Sequence, residues 1–215
     1  MLGSTLTSAV PPARNRSTRP AIGTQPGADA IARLVERVQA AGGALVSVDP
    51  NIRPMLAEGF GNTREDVVRR LDRLVATADL VKVSTEDLDW LEPDAGRSAA
   101  DRDAAVLRWA ERGPGLVLLT DGGAPLRVAR PGGRLRQVTP PTVQVVDTVG
   151  AGDSLAAGFL SGLLRSGVTD RAALEQLTDD ALDPIVAEAA LVAALACTRV
   201  GADPPTRAQV DAARG

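Results

Sequence analysis

The sequence predicts an α/β fold, a mostly parallel sheet with helices on both faces. Short apolar runs alternate with helical stripes from residue 28 to about residue 165, the rhythm of strands joined through covering helices. Four of these runs deliver a polar residue directly at their ends, namely Asp49, Ser84, Thr120 and Asp147. In an open sheet of this class the ligand crevice lies beyond the carboxyl ends of the strands, so the four polar loops are expected to converge on one edge.

The elements follow in order. Residues 1–10 can start as a strand. Residues 11–27, PPARNRSTRPAIGTQPG, offer almost nothing to bury and read as an unstructured insert, so 1–27 is expected to be an atypical N-terminal segment ahead of a domain over 28–215. Arg14, Arg16 and Arg19 inside it read as solvated loop charges. From Ala28 a helical stripe of Ile31, Leu34, Val35 and Val38 runs to Gly42-Gly43. Ala44–Val48 is a strand buried on both faces, ending in Asp49-Pro50-Asn51-Ile52-Arg53. A second helix starts at Thr63, with Asp66 three residues on as a capping-box variant, and carries Val67, Leu71, Leu74 and Val75. Strand 80–83 ends in Ser84-Thr85-Glu86-Asp87, followed by a short helix through Leu88 and Leu91. A helix opening near Ser98 carries Val106, Leu107 and Ala110 to Gly113. Strand 116–119 ends in Thr120-Asp121-Gly122-Gly123. Leu126–Ala129 and Leu135–Val138, flanking Pro131-Gly132-Gly133, form a small β-hairpin. Beyond residue 150 only helices are expected, one near 172–177, a long one from about Pro184 to Val200, and a last one from Thr206.

Composition narrows the chemistry. The chain has 215 residues, 44% hydrophobic, with a formal net charge of −3, which gives no reason to expect a nucleic-acid partner. It has no histidine, which removes Ser-His triads, His-ligated metals and imidazole bases together. A general base must therefore be a carboxylate, Cys197 or Lys82. Cys197 is the single cysteine, which forbids an internal disulfide and suits the cytoplasm; it is expected to pack inside an alanine-rich helix. Lys82 is the single lysine and follows Val81 rather than a glycine run, so there is no Walker-type loop. No apolar run approaches the roughly 20 residues of a membrane span, and no signal-peptide pattern opens the chain.

The stretch VQVVDTVGAGDSLAAGFLSGLLRS, 143–166, organises the rest. A run over Val143–Val146 reads as a strand ending in Asp147, then a glycine turn at Gly150-Ala151-Gly152, then Asp153 and a helix carrying Leu155, Phe159 and Leu163. A helix opening on glycines presents unpaired N–H groups and the positive end of its dipole, a site for a phosphate. Asp153 at its mouth is placed to take a proton from an attacking hydroxyl. A short Gly-rich turn alone would be no more than a tight βα connection with Asp153 as a cap. The contiguous string DTVGAGD outweighs that reading.

DTVGAGD, followed by a helix with Gly158 and Phe159, resembles the C-terminal signature of the PfkB/ribokinase family of carbohydrate kinases, over roughly residues 28–215. The resemblance implies a ribokinase-like fold and transfer of phosphate from ATP to a hydroxyl of a small sugar or sugar acid. It implies that Gly150, Ala151 and Gly152 hold charge on the transferred phosphoryl group, with Asp153 as base, and that Asp147 organises the nucleotide-metal side. DPNIRP is similar to the D-x-N-x-R segment of fructokinase-like and 2-keto-3-deoxygluconate kinase-like members, which puts Asn51 and Arg53 toward the sugar or the transferred phosphate. LTDGGAPL matches the T-x-G that meets the nucleotide through Thr120 and Gly122, with Pro125 where a glycine is usual. The family's N-x-x-E appears as Ser84-Thr85-Glu86-Asp87, so Ser84 and Asp87 are expected on the nucleotide side, Asp87 reaching a metal through water. ACTRVGADPPT, 196–206, is similar to the segment that borders the adenine and a monovalent cation.

The resemblance further implies ATP and Mg²⁺ as cofactors, a monovalent cation, no nucleic-acid or membrane partner, and a homodimer in intact relatives. It also implies an incomplete domain, since nothing before Gly3 matches the family's first strands, its β-lid or the Asp that grips sugar hydroxyls. Two other readings stand beside the sugar kinase. One is a catalytically silent nucleotide-binding remnant; the other is a kinase for a nucleoside or vitamin, which DPNIRP disfavours.

Overall fold

The computed structural model describes residues 6–8, 27–52 and 63–214. Arg53 and all of the 11–27 insert except Gly27 lie outside these residues. The chain forms two compact units, one of residues 1–119 with 127–136, the other of 120–126 with 137–215.

The sheet and the helices around it run β1 (Leu6–Ser8), α1 (Gly27–Ala41), β2 (Val46–Val48), α2 (Arg64–Thr77), β3 (Leu80–Ser84), α3 (Thr85–Leu91), α4 (Ala99–Ala110), β4 (Leu116–Thr120), β5 (Leu126–Ala129) and β6 (Arg136–Val138). The six strands lie in sequence order, β1 to β6. Where a mostly parallel sheet was expected, the ladders are mixed. β2 and β3 are parallel, with Val48 opposite Val81, whereas β1 lies antiparallel to β2 and β5 antiparallel to β4. The physical reason at β4–β5 is the short connection between them, which cannot carry the chain back for a parallel pairing. The hairpin turn forms as expected, with Gly132 at φ 63° and the Gly133 N–H donating to Arg130 O at 3.0 Å.

β2 is buried throughout and β3 everywhere but its last residue, as continuous apolar runs require. Asp79, just ahead of β3, ties the strand starts together. Its carboxylate accepts from the buried Val46 N–H at 2.7 Å, its own N–H donates to Val46 O, and its carbonyl accepts from the Leu116 N–H. The core gathers Val35, Leu71, Val75, Val81, Leu88 and Trp109 among others. In the α1 stripe Val35 is buried and Ile31 and Val38 pack partly, but Leu34 is 55% exposed. α2 and α4 start at the residues their caps specify. Thr63 and Ser98 form capping boxes with Asp66 and Asp101.

The second unit holds α5 (Ala151–Arg165), α6 (Arg171–Gln176), α7 (Asp179–Ala196) and α8 (Arg207–Arg214). α5 and α7 approach closely because two glycines of α5 face α7. A Cβ on Gly158 would lie 3.2 Å from Ala189 Cα, and one on Gly162 would lie 2.7 Å from Ile185 Cγ2. Leu155, Phe159 and Leu163 of α5, Leu174 of α6, and Leu182, Val186 and Ala189 of α7 are buried. α7 begins five residues earlier than the sequence suggests. Thr178 caps the Ala181 N–H and Asp179 and Asp180 favour the first turn, so the helix starts there and carries Pro184 inside it.

Two further expectations are corrected here. Residues 143–146 are not a strand. The N–H groups of Val146 and Asp147 both donate to Cys197 O, at 2.8 and 3.2 Å, and Val145 and Val146 stand exposed. β-branched composition favours a pleated surface but supplies no partner edge, and here the donors turn to the end of α7. Cys197 is likewise not inside the helix. It is the half-buried C-cap of α7, and its carbonyl is the acceptor in that tie.

Candidate active site

In the first unit, the parallel register of β2 and β3 carries Asp49 and Ser84 to the same edge of the sheet, as the strand-end pattern predicts. Asp49 is buried, and its Oδ2 accepts from Lys82 Nζ at 3.0 Å. The single lysine, left open as a base by elimination, is thus half of a buried ion pair. Asn51 follows at φ 43°, a left-handed conformation that asparagine tolerates better than most residues. The next N–H, of Ile52, donates to Asp87 Oδ1 at 2.6 Å. Ser84 is the N-cap of α3 and pairs reciprocally with Asp87, the Ser84 Oγ donating to Asp87 Oδ2 at 2.8 Å and accepting from the Asp87 N–H at 3.1 Å.

In the second unit, Asp121–Ala124 closes a turn after Thr120, with Ala124 N–H donating to Asp121 O and Gly122 at φ 53° with open space where a Cβ would point. The glycine turn at 150–152 has the form the sequence predicts. Gly150 is the N-cap of α5 in the left-handed region, φ 78°, and no side chain caps the helix. Glycine is required twice over, because a Cβ there would also lie 2.9 Å from Ala202 Cβ. The opening turn of α5 therefore offers backbone N–H groups and its dipole rather than a side-chain oxygen. Asp153 sits in this first turn, exposed to solvent.

Asp147 sets the geometry of the turn. Its Oδ1 accepts from the Val149 N–H at 3.0 Å and its Oδ2 from the Gly201 N–H at 2.8 Å. These backbone donors, Val149 first, hold its carboxyl below the usual carboxylate range. The segment after α7 is thereby stitched to the turn, through Asp147 on Gly201 and Gly150 against Ala202. The sequence marks both stretches but not this link, which joins residues 54 apart.

Among the described residues no three Asp, Glu, Cys or His side chains gather as a metal-binding cluster. None of the candidate residues lines the cleft of about 370 Å³ along α2, which is bounded by Arg64, Val68, Asp72 and Leu91 among others. No helix among the described residues is long and apolar enough to cross a membrane.

The fold is of the α/β class, and comparison with known proteins gives the family. The model of the pfkB family of carbohydrate kinases matches residues 22–209. The chain belongs to that family. It is 35% identical to a fructokinase of Klebsiella pneumoniae over 183 residues, 85% of this chain and 54% of the relative. Among solved structures it is similar to a fructokinase of Xylella fastidiosa crystallised with bound ATP, at 31% identity and a TM-score of 0.77, covering 90% of this chain and 58% of that one. A fructokinase double mutant of Vibrio cholerae, with fructose, ADP and potassium bound, aligns at 26% identity and a TM-score of 0.70, over 89% of this chain and 57% of that one. The ribokinase-like α/β fold expected from the sequence is the fold of these neighbours. The chain spans about half the length of the curated relatives it matches.

Proposed function

We propose that this chain carries the phosphoryl-transfer machinery of an ATP-dependent sugar kinase, acting on a hydroxyl of a small sugar of the fructose type. The observation that carries the reading is the start of α5, a helix opened by left-handed Gly150 without a capping side chain, with Asp153 in its first turn. In the Gly150-Ala151-Gly152 turn, backbone N–H groups of Gly150 and Gly152 hold the charge that develops on the transferred group, while the Ala151 N–H donates to Thr148 O at 3.2 Å and closes the turn. Asp153 accepts the proton of the sugar hydroxyl as its oxygen bonds to phosphorus and the bond to the leaving diphosphate breaks. Thr120 and Gly122 line the nucleotide, and the open space at Gly122 fits a close approach of a ligand to the backbone. Asn51 and Arg53 hold the sugar.

The residues fit a nucleotide better than they fit a protein-held metal. Mg²⁺ would enter with the nucleotide and supply charge neutralisation on its phosphates. A monovalent cation belongs in this reading to the 196–206 segment that Asp147 ties to the turn.

A second reading, a nucleotide-binding chain without turnover, is favoured by one observation. The run leading into the motif is unpaired in any ladder and leaves Val145, Val146 and Val149 each more than half exposed. Nucleotide titration and fructose-dependent ADP release, wild type against Asp153→Asn, separate the two. The kinase reading expects ATP binding to be unchanged or slightly tighter in Asp153→Asn, since a negative charge beside the phosphates is gone. It expects ADP release to fall by about 10²-fold or more, since an amide cannot accept the proton. Fructose-dependent release undiminished in the variant would remove Asp153 as the base, and binding without release in the wild type would favour the second reading.

A further inference from the structure

The loop that leaves β2 is held at two points inside the first unit. At its start, the Asp49 carboxylate is locked to Lys82, with side-chain exposures of 8% and 11%. Three residues on, the Ile52 N–H is held by Asp87. Asp87 is itself fixed. It is only 5% exposed, its Oδ2 accepts from Ser84 Oγ and from the Ser84 N–H, and its Oδ1 takes Ile52. Between the two ties Asn51 is kept in a left-handed conformation that it would leave in a free loop. A buried carboxylate that accepts three hydrogen bonds from two elements acts as a brace.

We infer that Asp87 is a positioning residue for the sugar-binding loop. Its carboxylate couples the cap of α3 to the backbone at Ile52 and, with the Lys82–Asp49 pair, fixes the loop that presents Asn51 to sugar hydroxyls. The inference rests on the proposed reading of this loop as the sugar side of a kinase, and it departs from a role for Asp87 at a metal-bound water. Holding the loop before the sugar arrives removes an ordering cost from binding, so the effect falls on sugar affinity.

The test uses the whole chain with Asp87→Ala, Asp87→Asn and Ser84→Ala. Amide hydrogen exchange at Ile52 needs no activity. Asp87→Ala is expected to speed it by about tenfold or more, the loss of one charge-assisted hydrogen bond, with β3 protection retained. Ser84→Ala removes the hydroxyl of the capping box but leaves Asp87 on Ile52, so Ile52 should stay protected, which separates the brace from simple helix capping. Asp87→Asn keeps an acceptor of the same shape and should fall between. It also serves as the folded comparison if Asp87→Ala unfolds. In parallel, D-fructose affinity should drop about tenfold in Asp87→Ala while Mg²⁺–ATP affinity stays unchanged. Unchanged Ile52 exchange in both Asp87 variants overturns the inference. So does weakened Mg²⁺–ATP binding with fructose binding intact, which would return Asp87 to the metal. If the wild type binds no fructose, the sugar-kinase reading fails, and the exchange result still decides whether Asp87 braces the loop.

Discussion

Gly150 shows how much one missing Cβ can decide. Its left-handed φ and the approach of Ala202 are separate demands, and Gly122 provides the comparison, since it shares a positive φ but has nothing near it. Gly150→Ala is expected to cost about 1–3 kcal/mol in strain, and more once Ala202 is displaced. Gly122→Ala should cost no more than about 1–2 kcal/mol. Urea unfolding of the two variants checks the order; equal losses would mean that the Ala202 contact contributes nothing. The glycine turn was legible in DTVGAGD because a turn is a local matter. What braces the turn was not. Nothing in the sequence pairs Asp147 with Gly201, or Asp49 with Lys82 33 residues away, because those pairings are made by the fold. Arg53, named from the same motif as Asn51, lies outside the described residues.

At the scale of elements the legible features are again the local ones. Helices with a Thr or Ser cap followed by Asp three residues on start where the sequence says, at Thr63 and Ser98. The run Val143–Val146 failed as a strand because strand formation needs a neighbouring edge that composition does not encode. The clamp on the last helix was also unreadable. Glu188 of α7, 4% exposed, accepts from Arg207 at 2.6 Å and Arg214 at 2.7 Å, both of α8, and from Arg165 of α5. The arginine donors, opposing the cost of burial, keep its carboxyl below the usual range. Glu188→Ala should destabilise the chain by about 1–3 kcal/mol, because each guanidinium remains partly solvated and can rehydrate. Faster exchange confined to α8 and the facing turns of α5 and α7 is the expected signature, and wild-type stability in the variant would show the cluster to be ornamental.

The whole molecule titrates in an unusual way because it lacks two of the common residue types. It has no histidine and no tyrosine, and its one thiol is raised by burial and by the charge of Asp147. The two residue types that most often titrate nearest to neutrality or just above it are therefore missing from the sequence. Asp147, Glu92 and Glu188 all have carboxyls held below their ordinary values in the folded chain. The sign follows directly. Their contribution is fully present above the unfolded carboxylate range near 4 and is lost as pH falls through the lower folded values. Unfolding free energy should therefore run flat from about pH 5.5 to 7 and drop steeply below about 4; a marked slope across neutrality would mean that a group outside this set is controlling stability. The absence of histidine was plain from composition, whereas the division into two compact units was not, since no linker-like stretch separates residues 119 and 120.

The burial of Lys82 also turns the chain into its own reporter. With a single lysine in the sequence, labelling at lysine reports on one ammonium, wedged against Asp49. A mass increment at Lys82 appears when the Asp49 loop and β3 part company. The rate of that increment is a clock for the opening, read by peptide mass spectrometry. A sugar that settles on the loop should make the clock run slow.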